Sequence, residues 1–337
     1  MKLRFAVIGA GSWGTTVANL LVGNAPTILW ARREEVAEEI RARHTNETYL
    51  PGAVLDPALE ATSDLGEAVS SADVVVMAVP SHGFRLTLLQ VAEHIRPWVP
   101  VVSLTKGLEQ DTHFRMTQVI ESVLPGHVYG VLTGPNLAGE ILAGHAAASV
   151  LSMSDRTVAE VLQPMFAREL FRVYTNDDIV GCELGGALKN VIAIAAGMAD
   201  GLGAGDNTKA AVITRGLAEL TRLGVALGGQ PMTFSGLTGM GDLLATCISP
   251  QSRNRYVGEQ LGRGRSLEDI VAEMKMVAEG IRTSKVVMEL AEAHGVEMPI
   301  AEQVYRVLHE GRPATDAYKG LLRRPSRPEM HSLDGDR

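Results

Sequence analysis

Short, wholly apolar runs alternate with helical stretches over the first half of the chain. The runs fall at Leu3–Ile8, Thr27–Trp30, Val74–Val79, Val101–Leu104 and Val128–Leu132. Between them, helical spacing covers Ser12–Val22, Glu34–Arg43, Gly83–Ile95 and Phe114–Val123. Strand-like runs separated by helices predict right-handed βαβ units and a parallel sheet. A further strand pair is expected at Ala146–Leu151 and Leu170–Tyr174, flanking a helix near Asp155–Phe166.

After about Thr175 the texture changes. From Asp178 to Leu321 helix follows helix, broken at glycines and prolines such as Gly228–Pro231, Pro250 and Gly295–Pro299. No internal repeat is visible. The expected organisation is an α/β domain over 1–177, a helical domain over 178–324 and a polar, disordered tail over 325–337.

The first run leads into Gly9-x-Gly11-x-x-Gly14 and then a helix. Gly9 allows the tight turn, Gly11 lets backbone approach a pyrophosphate, and Gly14 lets helix and strand sit close. The helix N-terminus offers unpaired N–H groups and a positive dipole end. An ordinary strand–turn–helix corner is the plain alternative. The position after a strand and before a helix is what the dinucleotide motif requires. The fold class read here is α/β, Rossmann-type and doubly wound, with a mainly parallel sheet and an all-helical second domain.

The second run ends at Ala31-Arg32-Arg33. An acidic residue ~20 residues past the glycines would mark NAD by its bond to the ribose 2′-OH. Here two guanidinium groups suit a 2′-phosphate, so NADP, or NADP and NAD together, is favoured. Alternatively, Arg32 and Arg33 are solvated charges paired with Glu34 and Glu35.

The bulk composition narrows the field further. The 337 residues are 46% hydrophobic and 21% charged, with a net charge of −8. That is ordinary for a globular protein and argues against a nucleic-acid surface. Anionic ligands must be held by local arginines, lysines and helix ends. Cys182 and Cys247 lack metal-ligand spacing and read as core residues in a reducing compartment. No signal peptide and no run of ~20 apolar residues is seen. A cytoplasmic protein without a membrane span, a metal or a nucleic-acid partner is expected.

Other candidates sit where strands end. Pro80 stops a strand, Ser81 can cap the next helix, and His82 reads as surface or cap. Lys106 follows the fourth run and either reaches an anionic group or is a solvent lysine. Gly134-Pro135-Asn136-Leu137-Ala138 opens another helix at the same sheet edge. In the helical half, Leu184, Leu188, Val191 and Ala195 make one core face, while Gly185, Lys189, Ala193 and Ala196 make a face bare except for the lysine. Desolvation there would lower the lysine's pKa and suit proton transfer. The alternative is a lysine snorkelling to water. Asp242 ends the glycine-rich loop Ser235–Asp242, as a helix cap or to orient a substrate hydroxyl or the lysine. Ser252-Arg253-Asn254 opens a helix with an arginine, a good phosphate site. Glu279 reads as N-terminal helix charge or as a ligand contact.

Taken in order, Gly9–Gly14 with its tryptophan, Asn46-Glu47-Thr48-Tyr49-Leu50-Pro51-Gly52, Lys106-Gly107, Gly134-Pro135, Glu183–Gly197, Gly205–Lys209 and Ser252–Asn254 resemble the bacterial NAD(P)-dependent glycerol-3-phosphate dehydrogenases over about residues 4 to 322. The resemblance implies hydride transfer between NAD(P) and a small phosphorylated three-carbon substrate, interconverting dihydroxyacetone phosphate and sn-glycerol 3-phosphate for phospholipid synthesis. It implies Lys189 as proton donor and acceptor. It implies substrate contacts from Lys106, Gly134, Asn136, Asp242, Ser252, Arg253 and Asn254. Cofactor contacts would come from Ser12, Trp13, Arg32, Arg33, Lys106, Ala138, Arg253, Val277 and Glu279, besides the three glycines. A homodimer is the family expectation. Asn136 departs from the serine or threonine usual after Gly-Pro. Two rival readings are a 3-hydroxyacid dehydrogenase of the same two-domain plan and an NADP-sensing module without turnover.

Overall fold

A computed structural model describes residues 3–274 and 278–323. The chain divides into two compact units, Met1–Glu183 and Leu184–Arg337. In the first, strands β1 (Phe5–Ile8), β2 (Thr27–Trp30), β3 (Glu60–Thr62), β4 (Val74–Met77), β5 (Val101–Ser103), β6 (Tyr129–Thr133), β7 (Ala147–Met153) and β8 (Phe171–Thr175) form one sheet. Helices α1 (Ser12–Val22), α2 (Glu34–Arg43), α3 (Leu65–Ser70), α4 (Ser81–Ala92), α5 (Met116–Val123), α6 (Ala138–Leu142) and α7 (Arg156–Phe166) connect the strands. The strand order is β3-β2-β1-β4-β5-β6-β7-β8. All neighbours pair parallel except β6 with β7.

The apolar runs are continuous because both faces of the sheet are covered. Phe5, Val7, Val74 and Val76 enter one core with α1 and α7, while Ala6, Ile8, Val75 and Met77 enter another with α4 and α5. The strand order reverses beside β1, between β1 and β4, and ligands of such sheets bind outside the strands' carboxyl ends at that point. β3 and α3 escaped the sequence reading. β3 is a three-residue edge strand, and its first residue, Glu60, is exposed. Too few apolar side chains remain there to make a pattern. Ser81 is the first residue of α4 rather than its cap; Pro80 holds that place and supplies no side-chain bond.

The second unit is helical among the described residues. α8 (Ile179–Gly201) begins in the first unit and runs on into the second. It is followed by α9 (Asp206–Ala226), α10 (Pro231–Phe234), a π-type turn at Leu237–Gly241, α11 (Asp242–Ile248), α12 (Arg253–Gly262), α13 (Leu267–Glu273), α14 (Glu279–Ala293), α15 (Pro299–His309) and α16 (Ala314–Leu322). Among the described residues α8 alone is long and apolar enough to cross a membrane, and 89% of its most apolar stretch is buried inside the protein. Its apolar surface is core. Cys182 and Cys247 are buried and form no disulfide, and burial pushes the Cys247 thiol up to about 12. The tail assigned to 325–337 and the cofactor contact assigned to Val277 lie outside the described residues.

Candidate active site

The first unit presents a cradle at the end of β1. Gly9 has φ +120, and a Cβ on it would fall 2.7 Å from the Ala78 carbonyl oxygen. A Cβ on Gly14 would fall 2.0 Å from the Gly9 carbonyl oxygen. In front of Gly11 nothing lies within 4 Å of where a Cβ would stand. The turn is thus closed where the chain touches itself and open where a phosphate would approach. Gly11 caps α1 without a side chain, so the helix end keeps its donors for a ligand. The Trp13 indole N–H is buried without a partner. These features fit a dinucleotide.

Arg32 and Arg33 follow β2, and both are exposed. They do not pair with Glu34. Its carboxylate is taken by Arg41 at 2.5 Å and by the Ser63 hydroxyl. Among the described residues neither arginine makes an ion pair. Arg33 instead lies over the Tyr49 ring, 5.9 Å from its centroid. The solvated-pair reading therefore gives way to two guanidinium groups without an ion pair among the described residues.

At the ends of β5 and β6, the Lys106 ammonium donates to the Gly134 carbonyl oxygen at 2.8 Å. Two of the residues singled out in the sequence meet there. Asn136 donates through Nδ2 to the Ser149 hydroxyl at 2.6 Å, while its Oδ1 is buried without a partner. Ala138 is the first residue of α6, with Leu137 as its cap. Further along the same loop, Arg85 grips Glu109 through two N–H bonds of 2.8 and 2.7 Å. That guanidinium, with a bond from Thr112, holds the Glu109 carboxyl below its ordinary range. His82 is exposed on α4.

In the second unit Lys189 lies on α8 with its side chain 6% exposed. Close approach of other backbone makes this possible. A Cβ on Gly185, one turn earlier, would stand 2.6 Å from the Thr238 carbonyl oxygen. The lysine does not snorkel. Its ammonium lies 3.0 Å from the Asp242 carboxylate and 2.5 Å from the Thr246 hydroxyl. Thr246 donates in turn to the Asp242 main-chain oxygen at 2.7 Å. Asp242 starts α11 and Thr246 stands one turn on, so one short helix aims both groups at the lysine. The i, i+4 spacing of Asp242 and Thr246 was the available sequence signal for the threonine.

Ser252 caps α12, accepting from the Arg255 N–H at 3.2 Å. Arg253 is exposed at the first helical position. The side chain of Asn254 is committed. Its Nδ2 donates to Asn190 Oδ1 at 3.0 Å, and its Oδ1 accepts from the Gly280 N–H at 2.9 Å. Asn254 therefore offers a ligand its main-chain N–H, while its carboxamide ties α12 to α8 and α14. Asn190, adjacent to the lysine, was not singled out in the sequence. Glu279 is the first residue of α14 and lies close enough to Arg253 to act on its charge. Arg255 and Lys209 share Asp200, at 2.8 and 2.9 Å. This accounts for the lysine of the Gly205–Lys209 motif.

A glycine cradle at the switch point of a doubly wound sheet, with a buried lysine–aspartate pair on a helical unit, defines an NAD(P)-dependent dehydrogenase. The chain matches the family model for the N-terminus of NAD-dependent glycerol-3-phosphate dehydrogenase over residues 4–159, and the model for its C-terminus over 178–319. It is 61% identical over 331 residues to glycerol-3-phosphate dehydrogenase (NAD(P)+) 2 of Sphingopyxis alaskensis, covering 98% of this chain and 99% of that one. It is 53% identical over 329 residues to the enzyme of Mycobacterium avium, covering 97% and 96%. The crystal structure of the Coxiella burnetii glycerol-3-phosphate dehydrogenase superposes with a TM-score of 0.92 at 35% identity, covering 96% of this chain and 99% of that one. The chain belongs to the NAD-dependent glycerol-3-phosphate dehydrogenase family and is an NAD(P)-dependent oxidoreductase of glycerol 3-phosphate. The hydroxyacid dehydrogenase and sensor readings fall away.

Proposed function

We propose that this chain interconverts dihydroxyacetone phosphate and sn-glycerol 3-phosphate with Lys189 as the proton donor and acceptor, and that it works in the cytoplasm as a homodimer, supplying glycerol 3-phosphate for phospholipid synthesis. Residues 1–177 form the NAD(P)-binding domain and 178–324 the helical substrate-binding domain, each also lending contacts to the other's ligand. The observation that carries the assignment is the buried Lys189–Asp242 pair, 3.0 Å apart and braced by Thr246. When bound, the nicotinamide supplies or accepts the hydride. Gly9, Gly11 and Gly14, with the donors of Ser12 and Trp13, hold its pyrophosphate side. Arg32 and Arg33 hold the adenosine ribose end, and Lys106, Ala138, Arg253, Val277 and Glu279 complete the cofactor contacts.

Lys189 gives a proton to the substrate carbonyl oxygen as negative charge gathers there, and takes it back from the hydroxyl in the reverse direction. A positioned acid contributes about 10²–10⁴ in rate, and a cation aimed at that oxygen adds electrostatic stabilisation. Asp242 and Thr246 fix the ammonium before the substrate arrives. Arg253 and the main-chain N–H groups at the start of α12, capped by Ser252, hold the phosphate. Asn254 keeps that helix start in place, and Lys106, Gly134 and Asn136 contact the remainder of the substrate. The test is NADPH oxidation driven by dihydroxyacetone phosphate, run against a panel of unphosphorylated ketoacids. Turnover with a ketoacid and none with the phosphorylated ketone would overturn the assignment.

A further inference from the structure

The segment Asn46–Gly52 is part of the family resemblance, yet no step of the reaction uses it. Its start is held from two sides. Asn46 is fully buried and donates through Nδ2 to the Ala10 carbonyl oxygen at 3.0 Å and to the Thr15 hydroxyl at 2.9 Å. Ala10 lies inside the glycine turn and Thr15 on the first turn of α1, so one carboxamide staples the cradle. On the other side Glu39 of α2 accepts from the Thr45 hydroxyl at 2.9 Å and from the Glu47 N–H at 2.7 Å. The main chain then turns back on itself, with Tyr49 and Leu50 both donating to the Asn46 carbonyl oxygen. Tyr49 therefore stands on a fixed post, and the Arg33 guanidinium lies over its ring at 5.9 Å.

The nearby charges leave Arg33 to that ring. Glu34 is bound by Arg41 and Ser63, and Glu38 also pairs with Arg41. An exposed arginine without an ion pair would ordinarily sample many rotamers, and ordering it on binding costs affinity. A π face beneath it limits that sampling.

We propose that the Asn46–Gly52 segment is a positioning device for the cofactor site: Asn46 locks the glycine turn, and Tyr49 presents the Arg33 guanidinium to the 2′-phosphate of NADP. Selectivity between the two nicotinamide nucleotides is then set partly by a residue that need not touch either. The inference rests on the reading of Arg32 and Arg33 as the ribose-end contacts.

Two probes separate the possibilities without turnover: adenosine 2′,5′-bisphosphate and 5′-AMP, titrated calorimetrically into the full chain. Tyr49→Leu keeps an apolar side chain at this half-buried position and removes the π face. It should weaken the bisphosphate by about two- to fivefold, the size of a near-surface cation–π contact, and leave 5′-AMP unchanged. Tyr49→Phe should restore the wild-type ratio. Asn46→Ala should weaken both probes by the same factor, since the pyrophosphate cradle serves both. If Tyr49→Leu leaves the ratio of the two affinities unchanged while Arg33→Ala lowers it, the role of Tyr49 is overturned and the arginine reading stands. If alanine at Arg32 and Arg33 together leaves the ratio unchanged, the arginine reading itself fails.

Discussion

At the scale of single residues, Lys189 is defined by its partners. A lysine almost wholly out of water is stable only because a carboxylate at 3.0 Å balances it. Lys189→Ala should abolish turnover, with NADPH affinity, measured by fluorescence titration, within a few-fold of wild type. It should also destabilise the fold by about 3–5 kcal/mol, because Asp242 is left buried and uncompensated. Adding Asp242→Asn should recover part of that stability and none of the turnover. Lys189→Arg keeps the charge but can hardly release a proton, and its planar fork needs more room. It should be nearly as inactive as the alanine variant. An arginine variant with roughly a tenth or more of wild-type turnover would make Lys189 a placed charge only, with Lys106 the next donor to test.

At the scale of elements, α12 lies against α8 through glycines on both helices. A Cβ on Gly258 would fall 2.0 Å from the Ile194 carbonyl oxygen, and one on Gly197 would fall 2.0 Å from the Arg255 carbonyl oxygen. The obstacle is main chain in both cases, so no side chain can swing aside. Gly258→Ala must push the helices apart. The expected cost is roughly 1–3 kcal/mol in urea denaturation. The Michaelis constant for dihydroxyacetone phosphate should rise with it, because the start of α12 moves relative to Lys189. An unchanged Michaelis constant at lowered stability would separate packing from phosphate binding.

The loop after β5 is tied down by Arg85 and Glu109. Their contact lowers the folded pKa of Glu109, so the folded chain binds that proton less readily than the unfolded one. The stability it contributes is present above the ordinary glutamate pKa of 4.5 and is lost as pH falls through the folded value. Glu109→Gln should cost roughly 0.5–1 kcal/mol at pH 7, an amount typical of partly exposed pairs. The deficit relative to wild type should shrink toward pH 3. Urea midpoints at the two pH values measure this, and a deficit independent of pH would show that the ion pair contributes nothing.

At the scale of the whole molecule, the glycine cradle with Arg32 and Arg33 and the buried Lys189–Asp242 pair belong to different stretches of chain and should respond separately to ligands. A cofactor at a hundred times its dissociation constant stabilises whatever it binds by about 2.7 kcal/mol. Differential scanning calorimetry should therefore show NADPH and NADH each raising the midpoint of the wild-type protein. Alanine at both Arg32 and Arg33 should remove most of the NADPH shift and keep the NADH shift. Lys189→Ala should keep both. Equal loss of the two shifts in the arginine variant would make those arginines structural.

The sequence by itself determined seven of the eight strands, the mainly parallel sense of the sheet and the helical second half, because continuous apolar runs and helical spacing are local properties of the chain. It also determined the glycine cradle, where Gly9 and Gly14 leave no room for a Cβ, and it singled out a lysine on a bare helix face. The tertiary structure decided what depends on contacts between distant residues. It decided that Glu34 turns to Arg41 and leaves Arg33 to Tyr49. It also decided that the carboxamide of Asn254 is spent on Asn190 and Gly280. Asp242 and Thr246 lie more than fifty positions from Lys189 and reach it only once α11 packs beside α8. Charge pairing and hydrogen bonding are settled by separation in space, to which separation in sequence is no guide.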